Sequence, residues 1–130
     1  MKFRRILTLL SAMAVTGLWG WPAQAQNRGD EVLLEMQQAF RKNDAKRLSA
    51  LLPQARGHVL EPLAAYWDMR TRLDTAPASE IRSFLNTYAG SYYEDRLRND
   101  WLQQLGKRRD WATFTAEYPR FRMRDDREVR

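Results

Sequence analysis

His58 is the only histidine of this chain, and cysteine is absent. A protein metal site needs several such ligands at set spacings, and a general base needs a partner within hydrogen-bond reach. His58 follows Gly57 in a linker with no HExxH pattern and no carboxylate cluster beside it, so it reads as a residue at a helix start. No serine stands in a nucleophile elbow, and Gly29, Gly57, Gly90 and Gly106 are too far apart to cradle a phosphate. No catalytic residue, no metal and no cofactor is expected. Two acidic pairs, Glu94-Asp95 and Asp125-Asp126, raise glycoside chemistry, which places two carboxyl groups on opposite sides of one bond. Adjacent helical residues diverge by about 100°, however. Both pairs are interleaved with arginines (Arg96, Arg98, Arg124, Arg127), so a solvated, salt-bridged face is the plainer reading. The aromatic set Tyr66, Trp67, Tyr92, Tyr93 and Trp101 could stack on sugar rings. Trp67 and Trp101 fall on apolar helix stripes and are assigned to the core; Tyr66 and Tyr92 are the candidates for glycan contact at the surface.

Helical period runs through everything after Arg28, and no segment alternates as a strand does. Asp30 is placed to cap a helix bearing Val32, Leu33, Met36 and Phe40, and Asn43-Asp44 breaks it and caps the next, with Leu48, Leu51 and Leu52 inward. A third helix is expected over 59–72, its Leu60, Leu63, Ala64 and Trp67 forming one buried stripe. Pro77 starts a fourth, which Gly90 ends in the left-handed conformation. Tyr93, Leu97, Trp101 and Leu105 mark a fifth, stopped by Gly106, and Asp110 caps a sixth that runs into Tyr118-Pro119. The fold class is all-α.

The even-numbered helices repeat a pattern. Asp44-Ala45…Leu48…Leu52-Pro53 matches Glu80-Ile81…Phe84…Tyr88-Ala89 and Asp110-Trp111…Phe114…Tyr118-Pro119, the copies starting 36 and 30 residues apart. The first two copies are each followed by a longer helix with a central tryptophan. Antiparallel helix pairs whose apolar face only a neighbouring pair can cover are the logic of an α-solenoid, or superhelix. The third copy lacks its second helix, so the domain is expected to be incomplete at its C-terminal side, with Trp111, Phe114 and Tyr118 half-covered.

Residues 1–25 look like an export signal: Lys2, Arg4 and Arg5, then an uncharged stretch, then Ala23-Gln24-Ala25. The apolar part, residues 6–19, has 14 residues, short of the roughly 20 that a bilayer core requires, so no stable membrane insertion is expected. Cleavage is placed between Ala25 and Gln26, leaving residues 26–130 as one helical-repeat domain in the periplasm. The whole chain has 22 basic and 16 acidic residues; loss of three basic residues with the signal leaves 19 against 16, a net charge of +3. That surplus is gathered in residues 107–109 and 120–130 and forms no continuous basic face, so nucleic acid is not an expected partner.

Four strings carry a resemblance: Tyr66-Trp67-Asp68-Met69-Arg70…Leu73, the run 81–88 (IRSFLNTY), the run 95–102 (DRLRNDWL), and Gly106-Lys107-Arg108-Arg109-Asp110-Trp111. Together they resemble the N-terminal superhelical, U-shaped domain of the soluble lytic murein transglycosylases, over about residues 30–130. That resemblance implies a periplasmic ring-forming α-superhelix and a separate lysozyme-like catalytic domain, which in the family cleaves the MurNAc–GlcNAc linkage to a 1,6-anhydro product. It implies peptidoglycan glycan strands, met through the full-length enzyme, and cell-wall proteins as partners. Nothing in this chain matches the family's Glu-Ser motif, so no catalytic residue carries over and the chain alone is expected to be inactive. The alternative reading is a small periplasmic helical-repeat adaptor that binds a protein partner on its concave face.

Overall fold

The computed structural model of the chain describes residues 21–123, the first six of them by backbone alone. The described residues are all helical: α1 (Trp21–Arg41), α2 (Ala45–Leu51), α3 (Glu61–Thr71), α4 (Ala78–Thr87), α5 (Tyr92–Lys107) and α6 (Trp111–Glu117), with 3-10 turns at Leu52–Ala55 and Tyr118–Arg120. The expected leader therefore falls mostly outside the described residues, and its Ala25/Gln26 junction lies within α1. The pair Asp125-Asp126 also lies outside them.

Local chemistry explains most boundaries. The Asp44 carboxylate accepts the Arg47 N–H at 3.1 Å and the Asp110 carboxylate the Thr113 N–H at 3.2 Å, each satisfying an amide with no partner inside its helix. Ser91 does the same for α5 through the Glu94 N–H. Pro77 precedes α4, and Gly90 at φ +83° closes it in the left-handed region, as expected. Two boundaries differ from expectation. Asp30 caps nothing, because the backbone is already helical from Trp21, and its carboxylate turns to His58 instead. Gly106 does not stop α5; the left-handed residue is Arg109, at φ +58°, three positions on.

α1 packs on α2 and α3, α3 on α5, and α5 on both α4 and α6. One apolar cluster joins Val32, Leu33, Met36, Leu48, Leu51 and Ala64 across α1, α2 and α3. A second joins Tyr66, Met69, Leu73, Ile81, Phe84, Leu97, Trp101 and Leu105 across α3, α4 and α5. Trp67 touches both clusters and stacks on Phe40 at 6.0 Å between ring centroids.

The expected single stripe on α3 needs correction. Leu60 is 43% exposed, Leu63 and Trp67 are only half-buried, and the fully buried positions are Ala64, Tyr66, Asp68 and Met69. The helix is held between two neighbours, so it buries two faces. Ala64 belongs to the cluster shared with α1, while Tyr66 and Met69 belong to the one shared with α5. A one-stripe template finds only one of them.

The last described segment folds back on the bundle. Phe121 is buried against Leu102 and Phe114, leaving Phe114 half-covered, while Trp111 and Tyr118 stand 56% and 39% exposed.

Candidate functional site

Helix α5 buries residues on every side over 97–102, and three consecutive ones, Arg98, Asn99 and Asp100, are polar. Buried polar groups must be bonded or they cost stability, and Asp100 is bonded richly. The Tyr66 hydroxyl donates to its Oδ2 at 2.6 Å, Arg70 Nε lies 3.4 Å from that same oxygen, and Arg96 Nε lies 4.0 Å away. Arg96 Nε also donates to the Tyr66 oxygen at 3.3 Å. Burial, then the hydrogen bond and charge of Asp100, push the Tyr66 phenol up to about 12, against a smaller opposing pull from Arg96. Tyr66 is thus a neutral hydrogen-bond donor at physiological pH and not a base. Hydrogen bonding to Tyr66 in turn raises the Arg96 guanidinium, so it is a fixed cation.

Above this buried group lies an aromatic edge. Tyr66 and Tyr93 are 6.2 Å apart, and Tyr92 stands edge-on to Tyr93 at 5.5 Å and 81°. Tyr92 is 63% exposed. Arg70 and Arg96, on the Asp100 carboxylate below, are each nearly half-exposed, and Arg96 interacts with the Tyr92 phenol. An exposed ring flanked by guanidinium donors can stack on an apolar sugar face and bond its hydroxyls.

The two residues expected at the surface therefore part company. Tyr92 is exposed as expected, whereas Tyr66 is 8% exposed and is corrected to a buried residue. Its hydroxyl explains the difference: a tyrosine enters a core readily when its OH finds a partner, and Asp100 is that partner. The tryptophans show the converse. Trp101 is buried as expected, at 3% exposure, but Trp67 is not fully so.

A second polar tie lies on the other side of α3. Ser49 donates to Asp68 at 2.8 Å, Arg72 Nη2 to the same carboxylate at 2.9 Å, and Arg72 reaches on to Glu80 at 2.7 Å. This links α2, α3 and α4. The bond to Glu80 is the main reason the Arg72 guanidinium is raised, burial working against it. The adjacent carboxylates Glu94 and Asp95 are tied to the last described segment. Asp95 accepts the Arg122 N–H at 2.9 Å, and Glu94 takes the guanidinium of the same residue at 3.1 Å. His58 Nδ1 accepts the Leu60 N–H at 3.0 Å, which assigns the ring proton to Nε2, 2.5 Å from Asp30 Oδ1. The ring is a clip between α1 and the start of α3. Among the described residues no group of three or more His, Cys, Asp or Glu side chains is placed to hold a metal ion.

Residue selection by exposure and chemistry passed over Arg70, Arg96 and Asp100 as site residues. The available signal was the i, i+4 spacing of Arg96 with Asp100 and of Asp68 with Arg72, together with their place inside the quoted strings. No protein-family model, no curated protein and no solved structure matches this chain.

Proposed function

We propose that residues 26–130 form a non-catalytic helical scaffold of a periplasmic peptidoglycan lytic transglycosylase, built as a superhelix of antiparallel helix pairs. The observation that carries this reading is where the resembling strings sit. Tyr66 and Arg70 of one string and Arg96 and Asp100 of another meet in a single buried network. Phe84 and Trp101, from two of the strings, share the core cluster around α5. Residue types that look like a family signature are thus the ones that hold α3, α4 and α5 together, which is the work of a scaffold. The row α1–α3–α5, with an even-numbered helix packed against it at each step, supports a superhelical arrangement. Tyr92, with Arg70 and Arg96, supplies the edge at which glycan would be met.

Among the described residues no helix is long and apolar enough to cross a membrane. Export with cleavage before Gln26 belongs to the same proposal.

The test is co-sedimentation of the exported protein with purified peptidoglycan sacculi. The scaffold reading expects the protein in the pellet, with Tyr92→Ala shifting it to the supernatant while helix content is unchanged. Protein that stays in solution with sacculi, and is instead crosslinked in cells to one periplasmic protein, overturns this reading in favour of the adaptor.

A further inference from the structure

A cleft of about 280 Å³ opens between α4 and the end of α6, lined by Arg82, Leu85, Asn86, Arg98, Ala116, Glu117 and Arg120. Three guanidiniums meet one carboxylate there, so the lining carries a net positive charge of two. Glu117 is shared: Arg82 Nε donates to its Oε1 at 3.2 Å, and Arg98 Nε lies 3.6 Å from its Oε2, beyond hydrogen-bond reach. Arg98 is the telling residue. Its side chain is only 4% exposed, its Nη1 is engaged by Glu94 at 3.3 Å, and its buried Nε has no hydrogen-bond partner. An unsatisfied buried donor on a charged group is costly, so an acceptor that takes the place of Glu117 beside it is favoured. Arg82 is half-exposed, and its guanidinium carbon sits 5.7 Å from the Trp101 ring centre, which limits how far it swings.

We infer that this cleft binds the terminal carboxylate of a short peptide with small side chains. Glu117 places one carboxylate oxygen on Arg82 Nε at 3.2 Å and the other 3.6 Å from Arg98 Nε, so a planar, two-oxygen acceptor can be shared between the two arginines. Leu85 and Ala116 offer an apolar wall for a methyl-sized side chain, and the Asn86 amide both donates and accepts, as a peptide bond requires. Arg120, exposed on the lining, adds a further positive charge. The inference stands independently of the murein reading, since none of these contacts involves Tyr66 or Tyr92.

The test uses the exported protein with N-acetyl-dialanine as probe, its C-terminal amide as the uncharged control, and inorganic phosphate as a tetrahedral anion. The Trp101 indole N–H resonance reports occupancy because Arg82 lies over that ring. Saturable shifts with the carboxylate, at least about tenfold weaker binding of the amide, and about five- to tenfold weakening by Arg82→Gln or Arg120→Gln are expected. Glu117→Gln removes the internal competitor and is expected to tighten binding several-fold, a direction that loss of folding does not produce. Phosphate binding as tightly as the carboxylate overturns the inference in favour of a general oxyanion site. Absence of saturation, or binding indifferent to Arg82 and Arg120 in variants of native helix content, overturns it altogether.

Discussion

Replacing Tyr66 by phenylalanine removes one oxygen and keeps the ring in the cluster shared by α3 and α5. At neutral pH the main loss is the 2.6 Å bond to Asp100, with the longer 3.3 Å bond from Arg96 lost beside it. A hydrogen bond to a charged acceptor contributes about 1.5–3 kcal/mol. Asp100 keeps Arg70 and Arg96 after the change, so a cost near the lower end, about 1.5–2 kcal/mol, is expected. The alkaline limb gives an independent sign. The Tyr66 phenol is raised from 10.0 to about 12 in the folded protein. Between those values the folded state holds a proton that the unfolded chain has released, so stability falls as pH rises. The contribution is fully present below pH 10 and lost by about pH 12. Two pH units correspond to roughly 2.7 kcal/mol, an upper bound because Arg70 and Arg96 open the network to water. Tyr66→Phe has no such proton to lose. The stability gap between wild type and variant should therefore close, by about 2 kcal/mol, between pH 10 and 12. Urea denaturation of both proteins at pH 7, 10 and 11.5 measures this. A neutral Tyr66→Phe at pH 7, or a gap that does not change with pH, refutes the network as described.

Three further expectations follow from packing and export. Trp101→Ala should cost about 3–5 kcal/mol, as a buried ring does, while Trp67→Ala should cost less because Trp67 is only partly buried; equal losses in chemical denaturation contradict the two-faced packing of α3. Gly29→Ala should destabilise the fold although alanine favours helix by about 1 kcal/mol, since its Cβ would stand 2.9 Å from His58 Cδ2 in a ring held by Asp30 and Leu60. A rise in melting temperature there means that the ring moves freely. Intact mass of exported protein should correspond to a chain starting at Gln26, and a mass retaining residues 1–25 contradicts cleavage.

Helix number, order and most caps were readable because they depend on short-range chemistry. Asp44 and Asp110 cap through amides three residues away, and Gly90 needs no neighbour to favour positive φ. Asp30 was misread since an aspartate before an apolar run looks the same whether it caps a helix or reaches 28 residues along the chain to a histidine. Tyr66 is buried where a surface position was expected for a related reason. Periodicity assigns a helix one wet and one dry side, and α3 has α1 on one side and α5 on another. The Tyr66–Asp100 pair spans 34 residues, and nothing local to either residue announces it. The arginine-lined cleft was also out of reach, being assembled from three separate helices around an arginine that composition counts as surface.

The scaffold proposal is met most directly by product analysis. Exported protein is incubated with purified peptidoglycan, and the soluble fraction is searched by mass spectrometry for 1,6-anhydro-muropeptides. In the described residues the carboxylates of Asp68, Asp100 and Glu117 are each held by arginine, and Asp95 by a backbone amide. None of these four stands as an acid awaiting a glycosidic oxygen, as general acid catalysis requires. A scaffold pellets with the glycan and releases no anhydro product; anhydro-muropeptides released by the pure chain, and lost on replacing one of its carboxylates, contradict it.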